Sequence, residues 1–239
     1  LAAEGYKTVA GILKNNSAFN VNSTSVDAWL ALFLGLKERD VVYRDSTGKL
    51  DNIDRPTDGI VISRFMTAID KNEVLDPRQG EEVPGIGKTW TGVRNISDDQ
   101  LKKLAEECVK QVKTRGPFLN MSDFVNRRIS NDETGLTGAL QAAIDYDDTS
   151  PDSESINYRY KEGDDMIPRT GSLTASYPNQ MAAGGSRFTG APGYVVQSDL
   201  LRPLGNALTV RDDTFVIRAY GESLDSAGKV QARAWCEAT

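Results

Sequence analysis

Phe19-Asn20-Val21-Asn22-Ser23-Thr24 and, far downstream, Arg115-Gly116-Pro117-Phe118-Leu119-Asn120-Met121-Ser122-Asp123-Phe124 are the stretches that set the architecture of this chain. Each is a short extended segment running into a polar helix cap. In the first, Thr24 is placed to cap a helix together with Asp27. In the second, Asn120 is paired with Asp123 in the same way, and Leu119 and Phe124 have the spacing of a hydrophobic staple. Neither stretch carries a catalytic group.

Working outward, residues 25–36 are apolar around most of a helix (Val26, Trp29, Leu30, Leu32, Phe33, Leu36), which predicts a largely buried element. Before them, residues 1–14 have helical spacing in Tyr6, Val9, Ala10 and Leu13 and stop at Asn15-Asn16-Ser17. After them the periodicity breaks into turn signals, among them Asp45-Ser46-Thr47-Gly48 and Arg55-Pro56-Thr57-Asp58-Gly59, around one short apolar run, Ile60-Val61-Ile62. The clearest helix starts at Ser97, where Gln100 completes a capping box and Ile96 can staple onto Leu101. Its stripe is Leu101, Leu104, Ala105, Cys108, Val109 and Val112, and Gly116-Pro117 ends it. The Asn120-capped helix and a further helical stretch at 136–144 complete a mainly helical unit.

Residues 146–192 are rich in Asp, Ser, Gly and Pro and read as long surface loops. A short helix near 198–201 stops at Pro203. The last third then changes period: Ala219 and its neighbours alternate with Arg218 and Tyr220. After Asp225-Ser226-Ala227-Gly228, Val230, Ala232, Ala234 and Cys236 alternate with Gln231, Arg233, Trp235 and Glu237. This is the pattern of an antiparallel hairpin with one face buried and one wet. The chain is therefore expected to be α+β, with a mainly helical domain (1–145), a loop-rich segment (146–192) and a short helix plus antiparallel hairpin (193–239), the hairpin joining a small pilin-like sheet.

Composition narrows the chemistry. The chain has 239 residues, a formal net charge of −6 and no histidine. Ser-His-Asp and Cys-His nucleophile systems, histidine-liganded zinc and imidazole proton shuttles all need the missing residue. No clustered basic surface argues for nucleic acid. The longest apolar run, 28–34, is far too short to span a bilayer, which takes about 20 residues. The chain opens Leu1-Ala2-Ala3 without an initiator Met, so it is expected to be a processed form or a piece of something longer, with any targeting signal outside it.

Several motifs invite chemistry. Pro84-Gly85-Ile86-Gly87-Lys88-Thr89 has the end of a phosphate loop, but Glu82 stands where its first glycine belongs, so it reads as a turn. Gly184-Gly185-Ser186-Arg187 lacks the nucleophile-elbow pattern and has no histidine to activate Ser186. Asp145, Asp147, Asp148, Asp152 and Glu154 form an acidic cluster whose default reading is a solvated loop. Calcium is the cation it can hold, although Ser150 and Ile156 stand where an EF-hand loop needs Gly and Glu. No catalytic or cofactor-binding residue is assigned. Cys108 lies on the apolar helix stripe and Cys236 on the inward set of the last strand, which makes them a disulfide candidate, with two separate buried thiols as the alternative.

The chain resembles the Verru_Chthon cassette protein A family, large envelope proteins encoded beside pilin-like partners. The resemblance is carried by residues 19–29, by Arg115-Gly116-Pro117-Phe118 with Asp123-Phe124-Val125-Asn126-Arg127-Arg128, by Gly138-Ala139-Leu140-Gln141-Ala142-Ala143-Ile144-Asp145, and by the tail segments 213–222 and 232–238. More distantly, the Asn-Val-Asn-Ser run, the Pro-Phe-x-x-x-x-Asp helix start and the terminal hairpin look like the minor pseudopilin K of type II secretion. The hydrophobic N-terminal helix and prepilin cleavage site of that protein are absent from this sequence, so membrane attachment would rest on an absent N-terminal segment.

The resemblance implies a non-enzymatic component of a pilus or secretion apparatus. It would sit in the periplasm, cell envelope or extracellular space, with pilin-like or secretion-system proteins as partners. Recognition would run through the 146–192 loops and the wet hairpin face. Two other classes stay open: a secreted carbohydrate-active enzyme using an Asp/Glu pair, marked by a cleft with facing carboxylates, and an adhesin or ligand-binding module, marked by an apolar pocket with convergent polar groups.

Overall fold

The computed structural model describes residues 18–74, 82–83, 87–88, 90–146, 155–161, 166–167, 184–211 and 217–238. Among these the chain is α+β, with helices and several small sheets that include a C-terminal antiparallel hairpin. The helical pattern at 1–14 falls outside the described residues.

Phe19–Asn20 (β1) leads into α1, Val26–Leu34, which tightens into a 3-10 turn at Gly35–Glu38. The cap is Ser25, whose hydroxyl accepts from Ala28 N at 3.2 Å; the helix starts one residue later than a Thr24 cap would set it. Trp29 and Phe33, one turn apart, form its buried face. Among its described residues the stretch dominated by turn signals holds short strands: β2 (Val42–Arg44), β3 (Leu50–Asn52), β4 (Ile60–Ser63), β5 (Thr67–Ala68), β6 (Glu82–Val83), β7 (Gly87–Lys88) and β8 (Val93–Ile96). β2 runs antiparallel to β3 and parallel to β5, β4 runs antiparallel to β8, and β6 to β7. The Ile60-Val61-Ile62 run becomes β4, buried at every position. The region before residue 146 thus mixes strands with helices, because short strands enclosed by turns leave no periodicity to read.

Helix α2, Asp98–Arg115, begins with the predicted box: Gln100 N donates to the Ser97 hydroxyl at 3.1 Å and Ser97 N to Gln100 Oε1 at 3.1 Å. Asp98 and Asp99 in its first turn and Lys113 and Arg115 in its last complement the helix dipole. Its stripe packs against α1 and against α4, Ala139–Ile144, with the short α3, Met121–Val125, alongside. Asn120 caps α3 by accepting from Asp123 N at 3.0 Å. The staple does not form, since Leu119 is exposed while Phe124 is buried.

Helix α5 (Tyr158–Lys161) and strands β9 (Met166–Ile167) and β10 (Gly185–Ser186) follow, then α6 (Gln197–Leu204), β11 (Leu208–Thr209), β12 (Ile217–Leu224) and β13 (Val230–Ala238). α6 continues through Pro203 to Leu204 instead of stopping at it. Val195, Leu200 and Leu204 sit in the same core as Trp29, Leu101 and Ile144, so the core has no break near residue 192. Ile156, Asn157, Tyr160 and Ser186, from the segment read as surface loops, are buried too.

Candidate functional site

Asn22 joins residues 19–24 to residues 115–124. Its amide nitrogen donates to Phe118 O at 3.0 Å and to Val210 O at 3.1 Å, and its side-chain oxygen accepts from Phe118 N at 2.7 Å. Beside it β1 pairs in parallel with β11, and the Trp29 indole donates to Ser23 O at 2.9 Å while its ring stacks on Phe124, lies tilted against Phe33 and meets Phe19 edge to face. All three hydrogen-bonding groups of this amide side chain are spent on backbone, so Asn22 is a fold-closing residue.

A second closure holds the far side. The buried Arg94 guanidinium donates to Gly193 O at 2.5 Å and Ile156 O at 2.7 Å, lies 5.4 Å from the Tyr160 ring centroid, and has Glu73 Oε2 at 3.7 Å. Burial pushes its pKa down, and Tyr160 and Glu73 oppose that shift. Arg64 holds the buried Asp199 at 2.8 Å, and Asp199 also accepts from Val196 N at 2.9 Å to start α6.

Of the acidic cluster, Asp145 alone is described; Asp147, Asp148, Asp152 and Glu154 lie outside the described residues. Asp145 is engaged: one oxygen accepts from Tyr194 Oη at 2.6 Å and Asn157 Nδ2 at 2.8 Å, the other from Gln141 Nε2 at 2.8 Å. Desolvation, then the Asp145 charge, pushes the Tyr194 phenol above its ordinary range, so it stays a donor. Among the described residues no group of three or more acidic or sulfur side chains is placed to hold a metal ion. Of the phosphate-loop look-alike, Gly87 and Lys88 are in β7, paired antiparallel to β6, and the rest falls outside the described residues. The buried Ser186 hydroxyl donates to Tyr160 O and accepts from Phe188 N at 3.1 Å, a local structural role.

The disulfide candidate is corrected. Cys108 is a free, buried thiol on α2, its pKa pushed up by desolvation and the Glu107 charge, whereas Cys236 is free and exposed on β13. Among the described residues α2 packs chiefly on α1 and α4, with no comparable packing against the hairpin.

Clefts open to solvent occur among the described residues. One, of about 440 Å³, lies between Phe118, Leu119, Asp123, Arg128 and Ile129. Its carboxylate is occupied, since Asp123 accepts from Leu119 N at 3.2 Å. Another, of about 290 Å³, is lined by Val41, Phe65, Met66, Asp40, Asp199 and Arg202. Both of its carboxylates are ion-paired, Asp40 with Arg55 at 2.9 Å and Asp199 with Arg64.

The hairpin contrasts with all of this. Every residue from 218 to 224 and from 231 to 237 is exposed, so the expected buried face is not covered. The inward set is Ala219, Gly221, Ser223, Ala232, Ala234 and Cys236, side chains too small to bring much apolar area to a packing partner. The other face carries three directly opposed pairs. Arg218 Nε meets Glu237 at 2.7 Å, Arg233 Nε meets Glu222 at 3.1 Å, and between them Tyr220 and Trp235 stack with ring centroids 6.3 Å apart. Tyr220 Oη donates to Glu222, which raises the Tyr220 pKa. Tyr220 is 59% and Trp235 73% exposed. A register shift near Ser223 and Leu224 brings this aromatic pair together, and alternation alone does not reveal it.

No helix among the described residues is long and apolar enough to cross a membrane. Searches for similar proteins among family models, curated proteins and solved structures return no match for this chain.

Proposed function

We propose that the chain is a non-enzymatic assembly protein, the ectodomain of a minor pilin-like or pseudopilin-like component of a pilus or secretion apparatus in the cell envelope. The observation that carries this reading is the C-terminal hairpin, which displays an aromatic pair between two ion pairs and has both faces in solvent. A two-stranded hairpin is marginal alone in water and gains stability when a further strand or a helix is added. The body beside it spends its polar side chains on internal closure, as Asn22, Arg94 and Asp145 do. The resemblance to the Verru_Chthon cassette protein A family supplies the class of partner, pilin-like proteins encoded nearby.

The test is co-expression with the pilin-like proteins encoded next to its gene, followed by purification of a complex. Loss of the complex in Trp235→Ala is the expected result. Absence of pilin-like neighbours, or a complex indifferent to the hairpin, would overturn the reading.

A further inference from the structure

The charge order along β13 is self-complementary. We infer that the outer edge of β13 pairs antiparallel with the same edge of a second copy of this chain, about a two-fold axis at Trp235, forming a four-stranded sheet. Among the described residues the sheet stops at β12 and β13, so the outer N–H and C=O groups of β13 have no strand partner. Exposed edges are ordinarily blunted by charged side chains, Lys above all, by Pro, by a bulge or by a covering element. Val230–Ala238 has no Lys or Pro and nothing described covers it; its register shift lies at the turn end, beside Val230, and its two charges, Arg233 and Glu237, are of opposite sign.

A two-fold axis normal to the sheet puts the same edge of both copies in contact and makes the two identical strands antiparallel. Centred on Trp235, it sets Arg233 opposite the second copy's Glu237, and Ala234 opposite the second copy's Cys236. With the pairing inside each hairpin, the row across four strands becomes Glu222, Arg233, then the second copy's Glu237 and Arg218, alternating in sign throughout. The central row is Tyr220, Trp235, and the second copy's Trp235 and Tyr220. No like charges meet, and like charges directly opposite would be destabilising. A parallel, in-register pairing would set Arg233 on Arg233 and Glu237 on Glu237.

The β12 edge has a similar order around Tyr220, but its carboxylate is the more enclosed one: Glu222 is 31% exposed and is shared by Arg233 and Tyr220 Oη, whereas Glu237 meets Arg218 alone. On β13, Arg233 and Glu237 keep 59% and 55% exposure, and the larger aromatic ring is the more exposed one. This pairing stands on the hairpin alone and does not depend on the pilin-like reading.

Residues directly opposite on neighbouring antiparallel strands have Cβ atoms about 4.5–5.5 Å apart, near disulfide range. Ala234→Cys therefore places its thiol against the second copy's Cys236, twice per dimer. After mild oxidation of the purified chain, most of Ala234→Cys is expected to run at twice 26.1 kDa on a non-reducing gel. Wild type and Ala234→Cys/Cys236→Ser should stay monomeric on the same gel. Sedimentation equilibrium supplies the second measurement: wild type should dimerise, and Arg233→Glu, which faces the second copy's Glu237, should weaken that dimer at least tenfold. Crosslinking of Ala234→Cys no greater than wild type, equal crosslinking without Cys236, or a wild type monomeric at every concentration would each overturn the inference. None of these results bears on binding to a different protein, which the co-expression experiment tests.

Discussion

The turns at residues 45–49 and 225–229 are built alike. Asp45 Oδ1 accepts from Thr47 N and Lys49 N at 2.9 Å, and Asp225 Oδ1 accepts from Ala227 N and Lys229 N at 2.9 Å. Each turn needs glycine at its fourth position, because Gly48 and Gly228 have φ of +87° and +78°. The hairpins they close differ in what lies beyond the turn. β2 and β3 are three residues each, β5 adds a third strand, and Tyr43 packs on the small core of Val41, Ile53, Val61, Ala68 and Val93. β12 and β13 are eight and nine residues long and have no third strand and no core among the described residues. The same backbone turn can therefore end a hairpin that is packed on a core or one that is open; what decides is whether the flanking side chains have apolar bulk to bury.

The largest expected effect sets the two exposed-to-buried extremes of one residue type against each other. Trp29→Ala removes the centre of the body's aromatic cluster and should cost about 3–5 kcal/mol. Trp235→Ala in the monomer should stay within about 0.5 kcal/mol. Denaturant midpoints measure both, and equal losses would mean that the hairpin is packed in solution.

Next in size is Asn22→Ala, which leaves Phe118 N, Phe118 O and Val210 O without their partner and should cost about 1–3 kcal/mol by urea unfolding. An unchanged midpoint would show that the two opening stretches are joined by something else. Ser97→Ala and Asn120→Ala should each cost about 1 kcal/mol, as caps whose acceptor is lost.

The smallest effect sharpens the comparison of turns. Backbone N–H donors from Lys229 and Ala227 and the Gln231 amide hold the Asp225 carboxyl below its ordinary value of 3.8, and the Thr47 hydroxyl and backbone donors do the same for Asp45. A depressed carboxyl supports its turn at every pH above the unfolded value and loses that support as pH falls through the folded value. Amide chemical shifts of Lys49 and Lys229 should thus hold steady from neutral pH to about pH 4 and move together below it. Movement near pH 4 to 5 in one turn alone would break the equivalence.

What could be read from the sequence follows the range of each interaction. The Ser97 box and the Asn120 cap are legible because donor and acceptor sit three residues apart. The first helix is legible too, but its cap falls on Ser25 because two neighbouring hydroxyl residues offer the same chemistry. The β12–β13 hairpin is legible from alternation, yet counting back from the turn mispairs Tyr220 by one residue, since the register shift at Ser223 and Leu224 is what sets it opposite Trp235. Asn22 as a hub is not legible, because its partners lie 96 and 188 residues away. Whether the hairpin is buried is a property of its surroundings, which alternation does not encode.

Backbone amide hydrogen exchange on the monomeric chain tests the central claim most directly: that the body closes on itself and leaves the hairpin open. The account predicts that amides of Asp98–Arg115 exchange orders of magnitude more slowly than those of Ile217–Leu224 and Val230–Ala238, whose opening costs little. Protection of the hairpin equal to that of the helix, at a concentration where the chain is monomeric, would contradict it.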